Sequence, residues 1–89
     1  MNHDRLLNEL SGILGELEIT DGQPRPADFD LRASENFDSM SLTMFVCAIE
    51  DHYKISLTIS ELSEAGTRLA NVINLIISKL ALVRVEART

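Results

Sequence analysis

An aspartate-serine pair, Asp38-Ser39, stands where a helix should begin, in Glu35-Asn36-Phe37-Asp38-Ser39-Met40-Ser41-Leu42. Two uses fit that placement. Asp and Ser are favoured helix N-caps, because their side-chain oxygens accept hydrogen bonds from backbone N–H groups that have no partner inside the helix. A serine hydroxyl exposed at a helix start, with an acid beside it, is also a place for a covalent phosphodiester. The added phosphate would lie against free N–H groups and the positive end of the helix dipole. The residues permit both uses at once.

The other reactive side chains form no constellation. Cys47 has no base near it in the sequence, and a lone cysteine reads more simply as structural or incidental. His3 and His52 read as surface residues, since neither has a second His, Cys or acid at a ligand spacing. Asp28-Phe29-Asp30 starts like a calcium loop, but Ala33 stands where such a loop needs Gly and Ser39 where it needs Glu. There is no Gly-rich phosphate loop and no Ser-His-Asp ordering. The chain is therefore expected to be neither an enzyme nor a metal protein.

The elements that must position Ser39 are helical. Leu6, Leu7, Leu10, Ile13, Leu14 and Leu17 recur at helical spacing and give one apolar stripe. Gly12 and Gly15 interrupt it and weaken its propensity, so tertiary contacts must hold this helix. From Glu18 to Asp38 the periodicity vanishes, and Asp21-Gly22, Pro24 and Pro26 mark a long loop. Such loops tend to be functional or mobile. Phe29 and Leu31 are its expected anchors. A second helix starts near Ser39, with Leu42, Phe45, Val46, Ile49 and Tyr53 on one inward arc. A short helical turn is predicted over Ile59 to Glu64 with Ser60 as its cap. Gly66 ends it, and Thr67 caps the last helix. In that helix Leu69, Val72, Ile73, Ile76 and Leu80 form the buried stripe, with Asn71, Asn74 and Ser78 mostly outside. The expected fold is all-α: a small four-helix bundle of three main helices and one short helix, with a long loop between helices one and two. It forms a single domain over 1–89 with a core of about 4–80. The tail 82–89, with Arg84 and Arg88, gives no clear pattern and is expected to fray.

Composition agrees with a small bundle and narrows its partners. The chain has 89 residues, 45% of them hydrophobic, with no Trp, one Tyr and three Phe, so its core must be mainly aliphatic. A length near the lower limit for one self-sufficient core is expected to make one small domain. The formal charge of −6 makes nucleic acid and anionic membranes poor partners and a basic protein surface a better one. One cysteine cannot form an internal disulfide. No signal peptide is read in residues 1–5, and Val72 to Val85, interrupted by Asn74, Ser78 and Lys79, reads as too polar to span a bilayer. A cytoplasmic monomer is expected.

Taken together, the amphipathic first helix, the long loop, Asp-Ser at the start of helix two, the short third helix and the final helix resemble the acyl carrier protein family. These are the carrier domains with a phosphopantetheine-attachment serine. The resemblance runs from about Leu6 to Ile77. Ser39-Met40 matches the family's Ser-Leu or Ser-Met; Phe45, Val46, Ala48 and Ile49 fall on its apolar positions, and Glu50-Asp51 on its acidic pair. Tyr53 takes the place of an aromatic, and Leu57 that of an Ile. Three departures stand out. Glu35-Asn36 replaces the usual Leu-Gly, the loop before it is longer, and Thr58 replaces a frequent Pro. Asn is the next-best residue after Gly at a left-handed position, so the turn can survive. The departures imply a specialised carrier.

The resemblance implies that Ser39 carries a 4'-phosphopantetheine arm taken from coenzyme A by a phosphopantetheinyl transferase. Asp38 would help hold the metal that accompanies coenzyme A in that enzyme. The arm would hold acyl groups as thioesters and present them to acyl-transferring or condensing enzymes of fatty-acid, lipid or polyketide-type synthesis. Phe45, Val46, Ile49, Leu69, Val72 and Ile73 would line the interior in which family members shelter an acyl chain. Opposite the buried arc of helix two lie Met40, Met44, Cys47 and Asp51, flanked by Ser41 and Thr43. In typical members this face is acidic and docks on Lys and Arg. Met40, Thr43 and Cys47 match its small apolar contacts, whereas Ser41 and Met44 stand where acids are common and the acids gather at Glu50 and Asp51. The face thus depends more on apolar contact than on charge. Two alternatives remain: an aminoacyl or peptidyl carrier, which shares fold and serine, and an unmodified helical adaptor that binds a partner through the Met40–Met44 face.

Overall fold

The computed structural model describes residues 3–34 and 37–88, the last five by backbone alone. The Glu35-Asn36 turn therefore lies outside the described residues. Four α-helices follow in order: α1, His3–Glu16; α2, Ser39–Tyr53; α3, Ile59–Ala65; and α4, Leu69–Arg88. A single 3₁₀ turn, Leu31–Ala33, breaks the long loop between α1 and α2. The all-α bundle of three main helices and one short helix is thus the observed fold.

One apolar core joins all four helices. Leu6, Leu10, Ile13 and Leu14 of α1 meet Phe45, Val46 and Ile49 of α2, Leu62 of α3, and Leu69, Val72, Ile73 and Ile76 of α4. Ile55 and Leu57 close the link between α2 and α3. The flanking members of the expected stripes, Leu7, Leu17, Leu42, Tyr53 and Leu80, are half-buried against this core. Burying a large aliphatic side chain is worth about 1.5–3 kcal/mol, so these contacts outweigh the weak helix propensity of the glycines in α1.

The loop is fastened to the bundle mainly through its backbone. Leu31 N–H donates to the Thr67 carbonyl (3.0 Å), while the N–H groups of Leu69 and Ala70, at the open start of α4, donate to the carbonyls of Phe29 and Ala27 (3.0 and 2.8 Å). The loop thereby satisfies donors that a helix start leaves unpaired. Leu31 is fully buried and Phe29 half-buried, the two expected anchors; Ile19 is a third, at 2% exposure. Ser11, buried in the apolar stripe of α1, accepts a hydrogen bond from Arg25 N–H (3.0 Å). Ser34 Oγ donates to the Ile19 carbonyl. Gly15 lets the Asp21-Gly22 turn lie directly on α1: a Cβ there would fall 2.9 Å from Gly22 N and closer still to its Cα.

Two local expectations are corrected, and one helix bound is defined. The cap of α3 is Thr58, not Ser60: Thr58 and Glu61 form a reciprocal capping box, which leaves Ser60 inside the first turn. Thr67 does not cap α4; its hydroxyl donates to Asp30 Oδ1 (2.5 Å), and Arg68, bridged to Asp30, occupies the position before the helix. The third concerns only extent: the last helix runs to Arg88. Gly66 does end α3, at φ 108° and with its N–H donating to the Leu62 carbonyl.

Candidate functional site

The start of α2 is built by a short run of residues with separate tasks. Asp38 has extended backbone (φ −140°, ψ −176°), and its Oδ1 accepts the Ser41 N–H at 2.8 Å. Its own carbonyl accepts the Leu42 N–H at 3.0 Å, which makes it the N-cap. The Ser41 N–H and side chain, and more weakly the Met40 N–H, hold the Asp38 carboxyl below the usual carboxylate range. Phe37 and Leu42 flank the cap at the two positions a hydrophobic staple uses, and both pack on the core, fixing the angle at which the chain enters the helix. Phe37 escaped the sequence reading, although its spacing from Leu42 was visible there.

Ser39 is the first residue of the helix proper and is exposed. With Asp38 as the cap, the hydroxyl of Ser39 has no part in closing the helix. The two readings of the Asp-Ser pair therefore fall on different residues: Asp38 does the capping, and Ser39 stands beside it at the positive end of the dipole. An ionised carboxylate and a primary hydroxyl are adjacent and open to solvent.

The outward face of α2 lies as the helical period places it. Met40 is 71% and Met44 44% exposed, and Thr43, Cys47 and Asp51 are exposed as well. Ser41 and Glu50, on the margins, are half-buried. Thr43 Oγ1 donates back to the Ser39 carbonyl (3.0 Å), and Asp51 pairs with Lys54 at 3.6 Å. Cys47 is a free, exposed thiol. Among the described residues no group of three or more His, Cys, Asp or Glu is arranged to hold a metal ion.

The opposite end of α2 is tied to α1. Tyr53 Oη donates to Glu9 Oε1 at 3.0 Å, and Arg5 Nε and His52 Nε2 approach the other oxygen of Glu9 at 3.6 and 3.8 Å. Burial first, and then the Glu9 bond, push the Tyr53 phenol well above its ordinary range. The inward face, Phe45, Val46 and Ile49, is buried in the same core as Leu69, Val72 and Ile73 of α4, with exposures of 4% or less. His3 and His52 are exposed.

A helical bundle with an exposed serine at the first position of its second helix, capped by the preceding aspartate, has the form of a carrier domain. A family model described as phosphopantetheine attachment site matches residues 4–76, and the chain belongs to that family. Its cofactor is 4'-phosphopantetheine, covalently attached. Neither the curated proteins nor the solved structures offered a match. No helix among the described residues is long and apolar enough to cross a membrane.

Proposed function

We propose that this chain is a non-catalytic carrier of acyl groups, modified on Ser39 and presenting its cargo to partner enzymes of fatty-acid, lipid or polyketide-type synthesis. The observation that carries this reading is the division of labour at the start of α2. Asp38 already satisfies the Ser41 N–H, so the exposed Ser39 hydroxyl is spare. When bound, phosphopantetheine supplies a flexible arm ending in a thiol, on which an acyl group is held as a thioester. The residues of the chain do the rest. Ser39 anchors the arm at the positive end of α2, where a phosphodiester is favoured. Asp38 stays ionised beside it and is the acid the transferase would meet with its metal. Tyr53 and His52, both on Glu9, tie the far end of α2 to α1.

Met40, Ser41, Thr43, Met44, Cys47, Glu50 and Asp51 form the surface on which the phosphopantetheinyl transferase and the acyl-transferring or condensing enzymes would dock. The acidic balance of the chain favours acyl over aminoacyl or peptidyl cargo. Tethering raises the effective concentration of cargo at each partner's active site, which is the service such a domain performs. We place the work of this single domain in the cytoplasm, as a monomer.

Mapping the modification tests the assignment. After incubation with coenzyme A, magnesium and a broad-specificity phosphopantetheinyl transferase, trypsin would release Ala33–Lys54 as one peptide. Fragmentation of that peptide is expected to place the added group on Ser39. Addition at Ser34, Ser41 or Thr43 instead would overturn the role given to Ser39.

A further inference from the structure

Asp38, Ser39 and Met40 are all exposed, so the bundle holds the start of α2 through their neighbours. Downstream the first hold is Leu42, half-buried on the core, and Phe45 behind it is fully buried. Upstream the choice is narrower. Between Leu31 and Met40 the sequence offers one large apolar side chain, Phe37, and position 35, where the resemblance expects Leu, is Glu. Phe37 is half-buried and packs on the same core.

The backbone leads to Phe37 in steps. Leu31 is buried; its carbonyl accepts the Ser34 N–H (3.1 Å), and the Ser34 carbonyl accepts the Phe37 N–H (3.2 Å). Ser34 Oγ donates in turn to the Ile19 carbonyl. The next residue, Asp38, keeps an extended backbone, with its Oδ1 on the Ser41 N–H and its carbonyl on the Leu42 N–H. Phe37 and Leu42 stand at N′ and N4 about that cap, the pair of positions that fixes how a chain enters a helix. Ser39 lies between these two pins. A helix end with no hold on the strand that enters it frays, and the amides bonded to its cap open first.

We infer that Phe37 is a positioning residue for the modification of Ser39. Its ring pins the chain before the cap and so keeps the serine hydroxyl and the Asp38 carboxylate in the fixed relation that a phosphopantetheinyl transferase must find. The inference rests on the reading of Ser39 as the attachment site. Phe37 acts through the cap and not on the reacting oxygen. A transferase that accepts only the capped start meets a fraction of the molecules, and its apparent affinity falls by that fraction. Loss of the pin therefore raises KM and leaves kcat in place, because every molecule that binds has its helix start in order.

The experiment compares the wild type, Phe37→Ala, Phe37→Leu and Tyr53→Phe in two measurements. One is kcat and KM for transfer from coenzyme A to the apo-protein by a broad-specificity phosphopantetheinyl transferase. The other is amide hydrogen exchange at Ser41 and Leu42, read by NMR on the apo-protein, which needs no modification. Phe37→Ala is expected to raise KM about five- to tenfold with kcat unchanged, and to speed exchange at both amides by a similar factor. Phe37→Leu keeps an apolar side chain at N′ and is expected to stay within about twofold of wild type. Tyr53→Phe weakens the far end of α2, about 21 Å along the helix at 1.5 Å per residue. It is expected to lower Tm yet leave KM and both amides as they are, which separates positioning from general stability. Wild-type KM and exchange in Phe37→Ala, or a rise in KM shared equally by Phe37→Leu and Tyr53→Phe, would overturn the inference and leave the carrier reading standing. Should Phe37→Ala not fold, the other proteins decide. Wild-type Ser41 and Leu42 amides that exchange as in an unstructured peptide overturn the inference, and protection that Phe37→Leu retains supports it. No transfer to Ser39 in the wild type would instead overturn the carrier reading, and the inference with it.

Discussion

Two glycines three residues apart in α1 are expected to respond oppositely to the same substitution. Gly12 is exposed, and a Cβ added to it meets nothing within 4 Å. Gly12→Ala should therefore realise most of the helix-propensity difference, a gain of about 0.5–1 kcal/mol. Unfolding entropy near 2.1 cal/mol/K per residue converts this, for a chain of this size, to a rise in Tm of roughly 3–5 °C. Gly15→Ala makes the same propensity gain but drives its methyl into the backbone of Gly22, 2.9 Å from the nitrogen and nearer to the Cα. A backbone cannot rotate away as a side chain can. Gly22 itself has φ 84°, and the loop beyond it is pinned where Arg25 N–H donates to Ser11. Overpacking of this kind costs about 1–3 kcal/mol, so the net expectation is a loss of roughly 1–2 kcal/mol and a Tm lowered by about 5–10 °C. Thermal and urea denaturation followed by circular dichroism at a helical wavelength would measure both. If Gly15→Ala proved as stabilising as Gly12→Ala, the close seating of the loop on α1 would be refuted.

The cap and the serine should separate in the same assay. Ser39→Ala is expected to leave Tm within the range of a neutral surface change, about 0.5 kcal/mol, whereas Asp38→Ala lowers it measurably by removing the acceptor of the Ser41 N–H. Equal effects from the two would contradict the division of labour. Tyr53→Phe deletes the hydrogen bond to Glu9 that joins α1 and α2 and should cost about 1 kcal/mol in urea denaturation. No loss would mean that the bond contributes nothing. Acid sensitivity follows from carboxylates such as Asp30, held low by the Thr67 hydroxyl and then by the Arg32 N–H. A folded-state pKa below the unfolded value of about 3.9 stabilises the protein above that value, and the stabilisation is lost as pH falls through the folded pKa. Thr67→Val should therefore destabilise the protein at neutral pH, with the gap from wild type narrowing below about pH 3–4. A gap that did not change with pH would show that Thr67 does not act through Asp30.

The helices were legible because their stripes are periodic, and the burial of Leu6, Leu10, Phe45, Ile49, Val72 and Ile76 follows that period. The outward placement of Met40, Met44 and Cys47 came from the same wheel. The loop was not legible, because its fastenings are backbone groups of Ala27, Phe29 and Leu31, which carry no side-chain signature. Gly15 read as a weak point in an apolar stripe and Ser11 carried no signal, yet they are where the loop docks: Ser11 supplies an acceptor and Gly15 leaves room. The capping box of α3 was written in the sequence as Thr58 and Glu61, and Ser60 drew attention from it. At the site, Asp38 and Ser39 share the same cap preference, so local chemistry could not decide which of them closes the helix. Only the backbone geometry, extended at Asp38 and helical from Ser39, separates their roles.

The most direct test of the account is the intact mass of the protein after incubation with coenzyme A, magnesium and a broad-specificity phosphopantetheinyl transferase, with Ser39→Ala run alongside. The account predicts the gain of one phosphopantetheine in the wild type and none in the variant. No gain in the wild type, with that transferase and with one from the same organism, or an equal gain in Ser39→Ala, would contradict it.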